Sequence, residues 1–255
     1  MEFERVAAAV RGIPYMGPEN GRRLYDHIRE TGATRVLELG TAHGVSASYM
    51  AAAIAANGGG SLITVDTDRA TPEPSAQSVV AKAGLDAIVE TVRAPDSSYT
   101  WWLKNRIAAR STADGNCAPE FDFCYLDGAH NWTIDGFAAL LVEKLLRPQG
   151  WLLLDDLNWS YASYGGAYEI GQSPEQLFLS PAEVAEPHMK LVYDLIIRQH
   201  PAFTEFRVEN ANWGWARKAP GEPRTYKVQN TTSLSAIALG QAVKVRNRLL
   251  ARRRS

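Results

Sequence analysis

Apolar positions along this chain alternate between two rhythms. Five short stretches, residues 35–39, 62–65, 88–92, 121–126 and 151–154, are rich in Val, Ile, Leu and Phe. Such short apolar runs predict strands, and the nearly all-apolar 121–126 predicts one buried on both faces, as in a parallel sheet. Between them the apolar residues recur at helical spacing. Ile134, Phe137, Ala138, Leu141, Val142 and Leu145 give the strongest such stripe, stopped by Arg147-Pro148-Gln149-Gly150. Residues 45–56, 75–84 and 98–110 read as further helices. Strand–helix alternation of this kind argues for an α/β fold with right-handed crossovers.

Outside this rhythm, Pro18 can open a helix that Gly32 follows, with Leu24, Tyr25 and Ile28 on one face. That helix either packs beside the sheet or caps a ligand, and residues 15–18 could line a pocket entrance. Residues 182–199 read as one helix. Residues 204–208 and 213–217 read as two closing strands joined by a short connection suited to an antiparallel hairpin. The expected organisation is a helical cap over 1–32, a main domain over 33–218, and a linker with a basic C-terminal helix over 219–255. Residues 157–181 interrupt the main domain. They hold Trp159, Tyr161, Tyr164, Tyr168 and Phe178 around Gly165-Gly166, and read as a substrate-covering lid, with interface packing as the alternative.

The 255 residues carry a formal net charge of -1 and two cysteines. No global basic field draws the protein to nucleic acid. Two thiols point to a reducing compartment without a disulfide framework. Residues 1–10 lack a signal-peptide core and no apolar run is long enough to span a bilayer, so a cytoplasmic location is expected. The tail, with Lys244, Arg246, Arg248, Arg252, Arg253 and Arg254, could touch RNA or an anionic membrane; a solvated helix end is the plainer reading.

Chemistry-bearing residues cluster at the ends of the expected strands, where α/β proteins bind ligands. The first strand runs into Val-Leu-Glu-Leu-Gly-Thr-Ala-His-Gly (36–44), with Glu38 inside an apolar strand and Gly40 and Gly44 in the turn. The glycines are four apart, unlike the Gly-x-Gly-x-x-Gly of a dinucleotide turn. An acidic turn suits a cationic ligand with an amino-acid end and a nucleoside end. Asp66 ends the second strand, where an acid can accept from ribose hydroxyls. Asp127 ends the fourth strand and Asp155-Asp156 the fifth. Three carboxylates at adjacent strand ends repel one another, and a hard divalent cation removes that penalty. A helix cap plus a salt bridge is the alternative. His130 could serve as general base beside such a site, with His43 a competing candidate.

At 36–44 the chain resembles motif I of the class I S-adenosylmethionine-dependent methyltransferases, Glu-x-Gly-x-x-x-Gly. Phe-Asp-Phe-Cys-Tyr-Leu-Asp-Gly-Ala-His (121–130) and Leu-Leu-Arg-Pro-Gln-Gly-Trp-Leu-Leu-Leu-Asp-Asp (145–156) resemble the metal-dependent O-methyltransferase branch, which includes the catechol and macrolide-sugar types. The resemblance spans roughly residues 15 to 218. It implies a Rossmann-like, mostly parallel seven-stranded sheet ending in an antiparallel hairpin, with helices on both faces. It implies S-adenosylmethionine held by Glu38, Gly40, Thr41, Ala42, Ser46, Asp66, Thr67, Asp96 and Asp127, with Ser46 on the cofactor's carboxylate. It implies Mg²⁺ on Asp127, Asp155 and Asp156, and His130 as base. The catechol type has Asn as second member of the pair and Lys as base, so Asp156 and His130 point to the sugar-modifying branch. The expected partner is a small hydroxylated molecule rather than a membrane or nucleic acid, with a homo-oligomer left open. Rival readings are an RNA-modifying methyltransferase, a non-catalytic scaffold on the same fold, and a metal-assisted hydroxylase or hydrolase. No Gly-x-Ser-x-Gly elbow or zinc spacing supports the last.

Overall fold

The computed structural model describes residues 3–67, 72–96, 98–113, 115–164 and 179–221. Among these, seven strands form one sheet in the order β3-β2-β1-β4-β5-β7-β6. They are β1 (Arg35–Leu39), β2 (Ser61–Thr67), β3 (Val89–Ala94), β4 (Phe121–Leu126), β5 (Leu146–Leu154), β6 (Phe203–Glu209) and β7 (Trp213–Lys218). Strands β1 to β5 run parallel, and β7 lies antiparallel to both β5 and β6. This is the mostly parallel sheet with a closing hairpin that the apolar pattern predicts. β5 begins earlier than expected, at Leu146, and passes through a register shift in which Gln149 turns to φ +68°: Phe121 pairs with Leu146, but Phe123 with Trp151.

The helices are α1 (Phe3–Ala9), α2 (Pro18–Thr31), α3 (Val45–Ala56), α4 (Ala76–Lys82), α5 (Tyr99–Arg110), α6 (Trp132–Leu145), α7 (Pro181–Ala185) and α8 (His188–Leu191). Strand side chains alternate between two layers, as a period of two requires. Val36, Leu62, Phe123, Leu153 and Trp215 meet α1 to α4 on one face. Leu37, Leu39, Cys124, Leu126 and Leu154 meet α5, α6 and the 188–197 stretch on the other. α2 lies beside the sheet rather than over a ligand: Leu24 and Ile28 are buried against the first face. It ends at Gly32 in the left-handed conformation, φ +67°.

Two expectations are corrected. α1 was not read from the sequence, although Phe3 and Val6 are buried and Phe3 stacks on Tyr49 of α3. The single helix expected over 182–199 is broken. α7 ends at Ala185, Pro187 precedes α8, and the chain then loosens into a π-helical turn, Val192–Ile197. Proline lacks the N–H that would continue the ladder. Of the expected lid, residues 165–178 lie outside the described residues, as do the linker beyond residue 221 and the basic helix. No described helix is long and apolar enough to cross a membrane.

The core under α2 holds one polar ring. His27 sits within ring contact of Phe123, Trp151 and Trp215, and its Nε2 has no hydrogen-bond partner. Burial, helped by the Arg207 charge, pushes its pKa down from 6.5 to about 3. Unfolded chains take up this proton near pH 6.5, whereas the folded chain resists until about 3. His27 therefore contributes stability that is present above pH 6.5 and drains away as pH falls toward 3, on the order of a few kcal/mol. Urea unfolding at pH 7 and pH 5 tests this. The wild type should lose midpoint on acidification, and His27→Leu should lose distinctly less.

Candidate active site

The cofactor-facing half is built by β1, β2 and the turn into α3. Glu38 is fully buried and pairs in register with Thr64 of β2. Its carboxylate accepts from Ser46 Oγ and Thr64 Oγ1, each at 2.5 Å. When Glu38 is ionised, Thr64 gives it its one hydroxyl proton, so Thr41, 2.6 Å away, then donates to Thr64. Two hydroxyl donors do not offset the loss of water around a buried anion. Burial raises the Glu38 pKa to about 8 against those hydrogen bonds, and the Asp127 and Asp66 charges add to the rise.

Asp66 leaves the end of β2 and reaches back to the glycine turn. Its Oδ2 accepts from the amides of Thr41 and Ala42, both at 3.1 Å, and Oδ1 accepts from Thr67 N at 2.7 Å. A carboxylate offers about four acceptor positions, so a ribose diol at Asp66 would compete with the turn for at least one. Ser46, expected on the cofactor's carboxylate, has its hydroxyl turned to Glu38 in this state. α3 starts at Val45, and its N-cap residue Gly44 supplies no side-chain cap, which leaves its first amides to attract an anion. Asp96 stands half-buried just past β3, whose neighbour pairing ends at Thr67–Ala94. His43 contacts Pro74 O at 2.7 Å and stacks on Tyr15, so Tyr15 does border the turn.

The two halves of the site meet at the β1–β4 seam. Gly40 N donates to Val65 O and Asp127 N to Leu39 O, both at 2.9 Å. Gly40 has φ +96°, and a Cβ there would fall 1.8 Å from the carbonyl oxygen of Asp127.

Beyond the seam lies the acidic cluster. His130 Nε2 is 3.3 Å from Asp127 Oδ1 and 3.1 Å from Asp156 Oδ2. One ligand atom from each of Asp127, His130 and Asp156 lies within 4.8 Å of the others. Burial opposes charge on the imidazole, but the hydrogen bonds and charges of Asp127 and Asp156 outweigh it and hold His130 well above its ordinary pKa. Burial likewise pushes Asp156 up, yet the His130 hydrogen bond and charge, with Asn212, leave it below the usual carboxylate range. Asp155 departs from the expected metal set. Its carboxylate turns inward to Tyr125 Oη, accepts from Asp156 N at 2.6 Å and from Asn212 Nδ2 at 3.2 Å, and lies outside the converging trio. Burial, with the Asp127 and Asp156 charges, raises its pKa.

Several supporting residues carry no motif. Tyr125 Oη also lies 3.2 Å from Asp127 Oδ2. Tyr99 donates to buried Asp135 and accepts from Ala129 N at 3.1 Å. Trp159 lies with its ring centroid 5.0 Å from that of His130. Thr64 and Tyr125 had a readable signal, since a hydroxyl in an otherwise apolar buried strand needs a partner. Tyr99, Asp135 and Asn212 come from separate segments, and nothing local marks them.

Residues 37–157 match the family described as a methyltransferase domain. Three solved structures share the chain's architecture. An O-methyltransferase from Bacillus cereus in complex with SAH is 21% identical, with TM-score 0.55, covering 85% of this chain and 90% of that one. The O-methyltransferase TomG from Streptomyces achromogenes, involved in tomaymycin synthesis and in complex with SAM, is 19% identical, with TM-score 0.54, covering 85% and 89%. The SAH-bound methyltransferase PaMTH1 from Podospora anserina is 15% identical, with TM-score 0.55, covering 84% and 86%. No curated protein matches the chain significantly in sequence. At these identities the structural likeness establishes the fold.

The seam makes a controlled prediction. Gly40 and Gly58 have nearly the same φ, +96° and +98°, but a Cβ at Gly58 meets nothing within 4 Å. Gly58→Ala should cost about 1 kcal/mol from backbone conformation alone. Gly40→Ala should cost several times more, read as a larger drop in Tm. Equal drops would mean that the Asp127 contact is not binding.

Proposed function

We propose that this protein is an S-adenosylmethionine-dependent O-methyltransferase acting on a hydroxyl of a small molecule with the help of Mg²⁺, a reading supported by the match of residues 37–157 to a methyltransferase domain. One observation carries the reading. The Glu38–Asp66 turn and the Asp127–His130–Asp156 cluster meet at one sheet edge, through the Gly40–Asp127 approach. The Bacillus and Streptomyces structures, both O-methyltransferases, support it.

In this reading Asp66 accepts the ribose hydroxyls, exchanging a turn amide for one of them. Gly40, Thr41 and Ala42 let the cofactor approach the backbone, and Thr67 and Asp96 border its nucleoside end. Glu38 faces the cationic end, with Ser46 and the open start of α3 at the carboxylate. The donor set at the acidic edge fits a divalent cation, with two carboxylates and an imidazole nitrogen converging. Asp127 and Asp156 would hold it; Asp155 could join only by giving up bonds to Tyr125 and Asn212. The metal's contribution is to polarise the acceptor oxygen. The proton that Asp127 and Asp156 hold on His130 would be displaced by a cation between those two carboxylates, leaving a neutral imidazole that could take the acceptor's proton. Alignment of the oxygen with the sulfonium methyl group supplies the remaining rate enhancement.

Calorimetric titration of S-adenosylmethionine tests the cofactor assignment. The wild type should bind in the micromolar range, and Asp66→Ala should weaken binding about tenfold, as loss of one or two hydrogen bonds to a charged group implies. Absence of wild-type binding would overturn the reading. Transfer of a labelled methyl group to hydroxylated acceptors should stop on chelation and return with Mg²⁺. Asp156→Asn should weaken metal binding more than Asp155→Asn; the reverse order would put Asp155 in the first role.

A further inference from the structure

His130 has φ +52°. Such a left-handed conformation costs a residue with a side chain about 1 kcal/mol or more, and it persists only where surroundings impose it. Here the peptides on both sides of His130 are tied to side chains from elsewhere. Ala129 N donates to Tyr99 Oη at 3.1 Å, and Ala129 O accepts from Tyr161 Oη at 3.3 Å. Asn131 N donates to Asp135 Oδ2 at 2.7 Å, and Trp132 N donates to His188 Nδ1 at 3.1 Å.

Tyr99 and Asp135 belong to α5 and α6. Tyr161 and His188 come instead from the stretch between β5 and β6, on either side of residues 165–178. They meet each other edge to face, with centroids 5.4 Å apart. His188 is buried, and its bonds assign its tautomer. Trp132 N is a donor, so Nδ1 accepts. Nε2 therefore carries the proton and donates to Glu183 O at 2.7 Å. Asn131 Oδ1 caps the amides of Thr133 and Ile134. His188 thus satisfies the one first-turn amide of α6 that Asn131 leaves over, two residues after the strained one.

We propose that Tyr161 and His188 are positioning residues for His130, so that the segment between β5 and β6 sets where the base stands. This rests on the O-methyltransferase reading. Neither residue is assigned a contact with the reacting atoms. Tyr161 holds the peptide that precedes His130, and His188 anchors the start of α6 one peptide beyond it, so the two bracket the left-handed turn.

The test uses the full chain and separates the two bonds of one imidazole. In His188→Asn the amide oxygen can stand near Nδ1 and still accept from Trp132. In His188→Gln the amide nitrogen can stand near Nε2 and keep the Glu183 bond while losing Trp132. His188→Gln should lower kcat about tenfold, the equivalent of one hydrogen bond, with the KM for S-adenosylmethionine unchanged. It should also shift the imidazole ¹⁵N resonance of His130, assigned by its disappearance in His130→Ala. His188→Asn should bring both back toward wild type. Tyr161→Phe, which removes a single hydroxyl, should move the same resonance and lower kcat by less. A His130 resonance and kcat unchanged in His188→Gln would overturn the proposal, as would His188→Asn being as impaired as His188→Gln. If the wild type transfers no methyl group, the O-methyltransferase reading fails, while the resonance in the variants still decides whether Tyr161 and His188 place His130.

Discussion

The carbonyl of Asp127 occupies the space that a side chain at position 40 would need, and the layout of this protein depends on that contact. β1 and β4 are sheet neighbours, and each continues into a loop at the same edge. Because residue 40 is glycine, the loops touch backbone to backbone. Asp127 is then brought up to the glycine turn instead of being held a side chain's width away. The strand order reverses direction at this point, which is where open α/β sheets place their ligands.

Around that contact the structure handles four carboxylates in different ways. Glu38 is enclosed by hydroxyls and retains its proton to an unusually high pH. Asp155 is enclosed by Tyr125 and Asn212, and its pKa also rises. Asp127 and Asp156 instead share His130, whose positive charge the pair stabilises. Burial acts against charge at Glu38, Asp155 and Asp156. What differs is whether a partner of opposite sign stands within hydrogen-bond reach, and only the Asp127–Asp156 pair has one. The imidazole therefore fills the place of a cation between two acids, at a spot that remains partly open to solvent.

The parts legible in the sequence were those encoded by neighbouring residues. The five parallel strands, the glycine turn and the stop of α2 at Gly32 all follow from local pattern, and so does the arrival of Glu38, Asp66, Asp127 and Asp156 at one edge. The orientation of Asp155 was not legible, because the strand ends at Leu154 and the chain turns at Asp156, φ +56°, and nothing local says which of the pair faces the cleft. Tyr125 and Asn212 decide it, from another strand and from the β6–β7 turn. The break at Pro187 was masked by an apolar rhythm that continues across it. α1 is short and charged, and its burial comes from Tyr49 and α2 rather than from a stripe of its own.

The sheet order has a further consequence for how the molecule comes together. β1, α3 and β2 are contiguous in the chain, but the other side of β1 is covered only by β4, with Val36 paired to Phe123. Closing so long a loop is entropically slow, and parallel pairing across it gives no return until it is complete. During synthesis from the N-terminus, β1 therefore passes through a period as an uncovered edge of Val, Leu and Leu, the kind of strand that recruits other chains. The central seam of the finished protein is an open edge of the half-made one.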